Sequence, residues 1–440
     1  MFRSGRAPGR LLRRAAILLV AGFLMLLVPS SGARVPQGER PFIREQVLSL
    51  RHDDWEPTVA ADRFGHVYWM TTRYSGQRAC GKCPQPALVY KVSKDGGRSW
   101  GRRRYLCPCP GVSSQNDPEI VTDHQGRVFA AWLNNYNVKF ARSDDFGRTW
   151  SRRVDLDDGL GFSDKPTIAV SSSGQDVYVV YNGPSAGDPY AVYSHDAGRH
   201  WSAPIRVTKS NRYFFSGGST VLPDGTVLVA QDIYHQDNRG HIRMAVLRSI
   251  DGGRHWSVAY LGSSHQARPC PRFGGCPANY AFLGEQANIA SDSAGRAYFI
   301  YGSSTRRGGP ARLMMRVSPA GGVGWEPARN VARGAPKADH EFPMIAATGF
   351  GDVRIAWMDD RTGRWNTFYK QSHSGGAKWV RLLRLSDRNH RAPYKSRKGF
   401  RFPYGDYGTI VIGRGGRTLA TWAEGPSFIG PGNTWFTRQR

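Results

Sequence analysis

Short apolar runs separated by turns recur along this chain. Val67 to Met70, Val128 to Trp132, Val177 to Tyr181, Val227 to Ala230, Ala297 to Tyr301, Val353 to Trp357 and Thr418 to Trp422 make seven such runs. Each is short and rich in β-branched and aromatic residues, as a strand is. The first sits inside a fuller pattern. Glu56 to Ala60 leads into a turn over Asp62 to Gly65, then the Val67 run, a loop, Ala87 to Val92, a second turn, and Arg103 to Leu106. The pattern predicts four antiparallel strands, here called a, b, c and d, with the seven apolar runs as seven copies of strand b.

The turn between c and d carries the strongest motif. Ser93-Lys94-Asp95-Gly96-Gly97-Arg98-Ser99-Trp100 recurs as Ser143 to Trp150, Ser194 to Trp201 and Ser249 to Trp256. Ser318 to Trp325 and Ser372 to Trp379 keep Ser, two Gly and Trp but lack the Asp. From Ser to Ser the steps are 50, 51, 55, 69 and 54 residues. A period near fifty marks a repeat architecture. The composition of the octet explains its reuse. Ser and Asp accept hydrogen bonds from N–H groups of their own turn, Gly supplies positive φ, and Trp anchors the next strand.

The octet pattern S-x-D-x-G-x-T-W resembles the Asp box, or bacterial neuraminidase repeat, of the sialidase superfamily. The resemblance spans nearly all of the chain after its leader and implies a β-propeller. Since a fold hosts many functions, the octets themselves read as structural stitches.

The last copy sets the blade count. Tyr407 to Ile412, Thr418 to Trp422 and Thr434 to Arg438 supply a, b and c, and no d follows. Glu45 to Leu50 reads as a d strand with no a, b or c before it. Placing that strand in the last blade removes an open sheet edge. The expected fold is therefore a seven-bladed all-β propeller closed by its N-terminal strand, against the alternative of the six blades of the superfamily's well-known enzymes.

Residues 1–33 read as a signal peptide and 34–440 as a single propeller domain. Arg3, Arg6, Arg10, Arg13 and Arg14 precede an apolar run from Ala15 to Val28, Pro29 breaks it, and Ser31-Gly32-Ala33 offers small residues for cleavage. The run is shorter than the ~20 residues a spanning helix needs; an uncleaved anchor is the alternative to secretion. No other stretch is apolar enough to span a bilayer. The formal charge of +27, less the five leader arginines, leaves +22. In an exported protein this disfavours nucleic acid and favours anionic glycans or surfaces, although arginines spread over every repeat also serve as a solvated coat.

Antiparallel strands put the a–b and c–d turns at one end of the blades and the b–c and d–a loops at the other. All six cysteines fall in the second set: Cys80 and Cys83, Cys107 and Cys109, and Cys270 and Cys276. An even count in an exported chain predicts disulfides, with Cys270–Cys276 as a local loop and the pairing of the first four open. A zinc site from the first four is the competing assignment. The same face collects acids at the start of strand a: Glu56, Asp117, Asp164, Glu285, Glu341 and Asp406, with Ser219 in blade four. Strand a is innermost in a propeller, so these would ring the channel mouth. Three roles are open to them: binding a cation such as calcium, acid and base catalysis on a glycoside, or capping strand starts. Arg73, Arg306, Arg307 and Arg361 lie in or beside b–c loops, and Arg388, His390, Arg391, Lys395, Arg397 and Lys398 in the connection to blade seven. Paired guanidiniums suit a sugar carboxylate.

The superfamily's enzymes remove terminal sialic acid with three arginines on the substrate carboxylate, a Tyr activated by Glu as nucleophile, and an Asp as acid/base. Their N-terminal Phe- or Tyr-Arg-Ile-Pro motif is absent here; Pro41-Phe42-Ile43-Arg44 has similar letters in another order. By chain order, Tyr404 or Tyr407 beside Asp406 is the analogue of the nucleophile. The candidate catalytic set is thus Asp117, Glu341, Asp406 and Tyr407, with Glu56, Asp164, Glu285, Arg73 and Arg361 as ligand groups. Two classes of function follow: a secreted glycosidase of exo-sialidase type or acting on another anionic glycan, or a non-catalytic propeller binding glycan, cation or protein through its long-loop face.

Overall fold

The structure is a computed structural model that describes residues 41–48, 52–75, 83–106, 111–184, 187–210, 212–235, 241–265, 286–386, 395–396, 399–400, 407–425 and 432–440. They form seven four-stranded antiparallel sheets and one short hairpin, with no helix among them. Blade one is Asp53–Ala61, Val67–Ser75, Ala87–Ser93 and Arg104–Tyr105, in sheet order a-b-c-d. Each innermost strand packs on the next, and the last packs on the first, so the blades close a ring.

Closure uses the N-terminal strand. Gln46–Val47 pairs antiparallel with Asn433–Arg438, Gln46 opposite Phe436 and Val47 opposite Trp435, and completes the sheet begun by Thr409–Gly413 and Arg417–Glu424. The strand is shorter than the Glu45 to Leu50 expected. Ile43 N–H donating to the Arg438 carbonyl at 2.9 Å and Leu48 N–H to Thr434 at 3.1 Å extend the contact.

Each strand b is buried along most of its length, so its side chains cannot alternate between core and water. They pack sideways onto neighbouring blades instead. Seven apolar clusters result, and each joins two adjacent blades. One links blade four (Phe215, Leu228, Met244) to blade five (Ile289, Phe299, Tyr301); another links blade seven (Leu419, Phe436) to blade one (Val59, Trp69). A repeat that buries its apolar face only against its neighbour explains why the ring has no single core.

The octets fold as their composition dictates. In blade two, Gly147 N–H donates to Ser143 Oγ at 2.8 Å, and Arg148 and Thr149 N–H donate to Asp145 Oδ1 at 3.1 and 2.8 Å. In the worn octet of blade six Ser374 takes the part of the missing Asp, accepting from Lys378 N–H at 2.9 Å. The glycine at the fifth octet position does two jobs. Gly198 has φ of +77°, and a Cβ there would sit 2.5 Å from the Phe140 ring of the preceding blade. Trp201 packs edge-on to the same ring at 4.8 Å. The octet is therefore both a turn and a blade-to-blade contact.

These turns set an acid limit on stability. Burial works to raise the Asp95 and Asp145 carboxyls, but hydrogen bonds from Ser99 and Ser93, and from Thr149 and Ser143, outweigh it and hold each at about 2, below the ordinary 3.8. The backbone N–H of His255 does most to hold Asp251 at about 2. A carboxyl depressed in the fold stabilises it above its unfolded value and stops doing so as pH falls through the folded value. Melting temperature should therefore drop between about pH 3.8 and 2. Calorimetry over that window should show the drop shrinking in Asp145→Asn; an unchanged profile would exclude the octets as its source.

Candidate functional site

Four of the seven inner strands share a break at the same height. Glu56, Asp117, Lys165 and Phe342 all have positive φ, between 45° and 57°, and each precedes a proline. The ladder to strand b skips there, between Trp55 and Thr58, Asn116 and Glu119, Asp164 and Thr167, and Glu341 and Met344. Proline has no N–H to give the ladder, and the residue before it is left in a conformation that costs of order 1–3 kcal/mol for a side chain without glycine's freedom. Three of these bulges lie in adjacent blades, one to three, and the fourth in blade six, all at the same end of the inner strands.

This alignment refines the acid ring. Glu56 and Asp117 occupy the bulge position and are buried, 5% and 8% exposed. Asp164 and Glu341 precede it by one residue, so blades three and six present Lys165 and Phe342 instead. Ser219 lies deeper, with its Oγ 3.3 Å from Thr167 Oγ1. Glu285, Asp406 and Tyr404 lie outside the described residues, as does Arg388 to Lys398 save a short pairing of Lys395–Ser396 with Gly399–Phe400. Of the cysteines only Cys83 is described. It is disulfide-bonded, and the residue it joins lies outside the described residues.

Lys165 is the residue that the sequence reading passed over. Only 3% of it is exposed. Its Nζ sits 3.2 Å from the centre of the Tyr407 ring, which belongs to blade seven, 5.6 Å from that of Phe215 in blade four, and 3.9 Å from Glu119 Oε1 in blade two. One ammonium thus spans the mouth. Its signal was the proline that follows it, shared with Glu56 and Asp117.

Two tyrosine–carboxylate pairs flank it. Tyr74 donates a short hydrogen bond to Glu56 Oε1, while Thr72 Oγ1 at 2.6 Å and the Asp117 N–H at 3.1 Å donate to Glu56 Oε2. Tyr213 donates to Asp164 Oδ2 at 2.6 Å. Burial raises the Glu56 carboxyl above its usual range, against the hydrogen bonds from Thr72, Tyr74 and Asp117 and the charge of Lys165. Burial likewise raises Glu119, opposed by Lys165. In blade four, Asp232 is fully buried and raised furthest, with the Ala287 N–H opposing. The mouth therefore holds protonatable carboxyls beside the Lys165 cation, the arrangement that separates acid from base among similar groups.

The two arginines proposed as ligand groups each pair with a buried aspartate. Arg73 is bidentate to buried Asp54, at 2.8 and 2.9 Å. Arg361 forks onto buried Asp359 in the same way and stacks 4.5 Å over Phe368. Arg306 and Arg307 are exposed. Beside Asp164, Tyr136 and Phe162 stack at 5.0 Å, both about half exposed, and Ser163 N–H bonds to the Tyr136 carbonyl at 2.7 Å. Such a pair offers a sugar a flat apolar face. Among the described residues no group of three or more His, Cys, Asp or Glu side chains is placed to hold a metal ion.

No protein-family profile matches the chain. A sialidase of Micromonospora viridifaciens is 27% identical over 273 residues, which are 51% of this chain and 39% of that protein. A sialidase of Clostridium perfringens is 24% identical over 207 residues, 40% of this chain and 53% of its own. The chain thus spans less than two thirds of the length of either relative. Among solved structures, a Dyadobacter fermentans protein of unknown function superposes with a TM-score of 0.51 at 14% identity, over 90% of this chain and 98% of its own. An ulvan lyase bound to -[GlcA(1-4)Rha3S]- gives 0.51 at 12% identity, over 88% and 95%. At such identities the solved structures share the fold. The sialidase resemblance carried by the octets thus has sialidases among its sequence relatives.

Proposed function

We propose that the protein is a glycan-acting propeller whose ligand site is the channel mouth. The observation that carries this reading is the Glu56–Tyr74 pair, whose carboxyl is buried and feels the charge of Lys165, at a backbone bulge repeated in four blades. A tyrosine hydrogen-bonded to a glutamate is the nucleophile arrangement that the sialidase resemblance implies, although here it arises in blade one rather than near Tyr407. The sequence relatives are sialidases, and one fold neighbour is a polysaccharide lyase. The finer reading is hydrolysis of an anionic glycan. Lys165 would meet the substrate's negative group, Glu56 and Asp117 would move protons, and Tyr136 with Phe162 would bear a sugar ring. The charge of the chain outside its leader would draw such a substrate in.

A second reading has its own support. Arg73 and Arg361, the guanidiniums that a sialidase-like carboxylate clamp needs, are each neutralised by a buried aspartate. That favours a propeller that binds glycan without cleaving it. A panel of aryl glycosides including an α-sialoside and a β-glucuronide, run beside a glycan array, separates the two. Turnover lost in Glu56→Gln supports the enzyme. Array binding lost in the same variant without turnover supports the binder. Neither signal in the folded protein would sink the mouth as a glycan site.

Export belongs to the same reading, with three disulfides on the loop face. Peptide mapping without reductant should find all six cysteines paired and Cys270 joined to Cys276; free thiols or bound zinc would overturn it.

A further inference from the structure

At the face opposite the mouth, the seam between blades seven and one encloses a cavity of about 360 Å³. Three turns wall it: the octet of blade one and the a–b turns of blades one and seven. Lys94, Arg98, Arg414, Arg417 and Arg438 line it, against a single acid among the described residues, Asp95. That acid is already engaged. Its Oδ1 accepts from Ser93 Oγ and from the N–H groups of Arg98 and Ser99, and its Oδ2 from Ser99 Oγ. Five cations thus share a pocket with one committed carboxylate.

Two of the three guanidiniums contributed by blade seven carry a buried donor that is left over. Arg417 Nε and Arg438 Nε are buried and meet no hydrogen-bond partner among the described residues. Arg438 spends one N–H on the Gln439 carbonyl at 3.1 Å. Burial and then the charges of Arg98 and Arg417 push its pKa down, with Asp95 opposing. A buried donor without an acceptor, among like charges, is costly to keep. An anion with several oxygens in the cavity would offset the charge gathered there, since guanidinium forks match oxyanions bidentately.

We propose that this cavity binds a tetrahedral oxyanion, sulfate or phosphate, either free or carried as an ester on a small ligand. Its volume falls in the range of small-ligand sites and leaves room for a carrier. The site is independent of the mouth and of what the mouth does. Arg438 lies on the strand that receives the N-terminal strand, so occupancy would also staple the ring closure and raise its melting temperature.

The test is calorimetric titration of the full protein at fixed ionic strength, with inorganic phosphate in one arm and galactose 6-sulfate in the other. One saturable site in the millimolar range or tighter is expected. Arg417→Gln with Arg438→Gln should abolish it. The exposed rim pair Lys94→Gln with Arg98→Gln, which touches no buried donor, should weaken it roughly tenfold. Binding of phosphate alone supports a site for the free ion; tighter binding of the sulfated sugar supports an ester. Absence of saturable heat with either probe overturns the proposal. So does binding that survives in the double arginine variant, or, if that variant does not fold, affinity unchanged in the rim pair.

Discussion

Removal of residues 34–50 is expected to destabilise the whole ring rather than fray one end. The strand Gln46–Val47 is the fourth strand of the last blade, and without it Asn433–Arg438 becomes an open edge. The loss reaches further than the ladder. Leu48 is buried in the cluster that joins blade seven to blade one, beside Val59, Trp69 and Phe436. Lys91 Nζ of blade one donates to the Leu48 carbonyl at 2.8 Å, and Phe42 packs edge-on to Tyr369 of blade six at 4.9 Å. Truncating one such core leucine to alanine costs roughly 2–5 kcal/mol, already a large share of the roughly 5–15 kcal/mol by which domains are stable. The deletion should lower the melting temperature by at least about 10 °C, or leave the protein aggregated. Leu48→Ala, which keeps the strand, should show part of the same fall. A truncated protein that melts where the full one does would mean that the ring closes without its N-terminal strand.

Glu56→Gln is expected to remove glycan turnover by about 10²–10⁴-fold while leaving melting temperature unchanged or slightly raised. The amide keeps an acceptor for Thr72 Oγ1 and the Asp117 N–H, so the bulge retains its stitches. It lacks the proton and the charge. Burial raises the Glu56 carboxyl in the fold, so this group favours folding below its unfolded pKa and ceases to do so as pH rises through the folded value. At neutral pH the amide therefore relieves a strain that the native side chain carries. Tyr74→Phe removes the other half of the pair and should match the loss of turnover, with catalysis falling more than substrate affinity. Lys165→Met, by contrast, should weaken affinity for anionic glycans selectively, because it takes away the ammonium that faces Glu119 and the Tyr407 ring. If Glu56→Gln lowers the melting temperature and leaves glycan turnover and binding as they were, the carboxyl is a strand stitch and the ligand site lies elsewhere.

What the chain reveals by itself is what its segments decide alone. The octet is legible because donor and acceptor sit within eight residues: Asp145 needs only Arg148 and Thr149 to satisfy it. The seven strand b copies and the unmatched strands at the two ends were enough to count blades and to close the ring, because an open edge is unfavourable whatever the sequence around it. The mouth is different. Lys165 meets Tyr407, Phe215 and Glu119 from three other blades, and no local pattern encodes a meeting across a ring. Arg73 and Arg361 read as ligand groups from their loops, yet strand register sets Arg73 directly opposite Asp54, and the turn after strand b folds Arg361 back onto Asp359. The cavity at the seam gathers Lys94 and Arg98 from one end of the chain with Arg417 and Arg438 from the other. Turns and strands follow from short-range hydrogen bonding and side-chain shape. Which charges end up paired, buried or left facing a cavity follows from register and closure, which exist only once the blades have met.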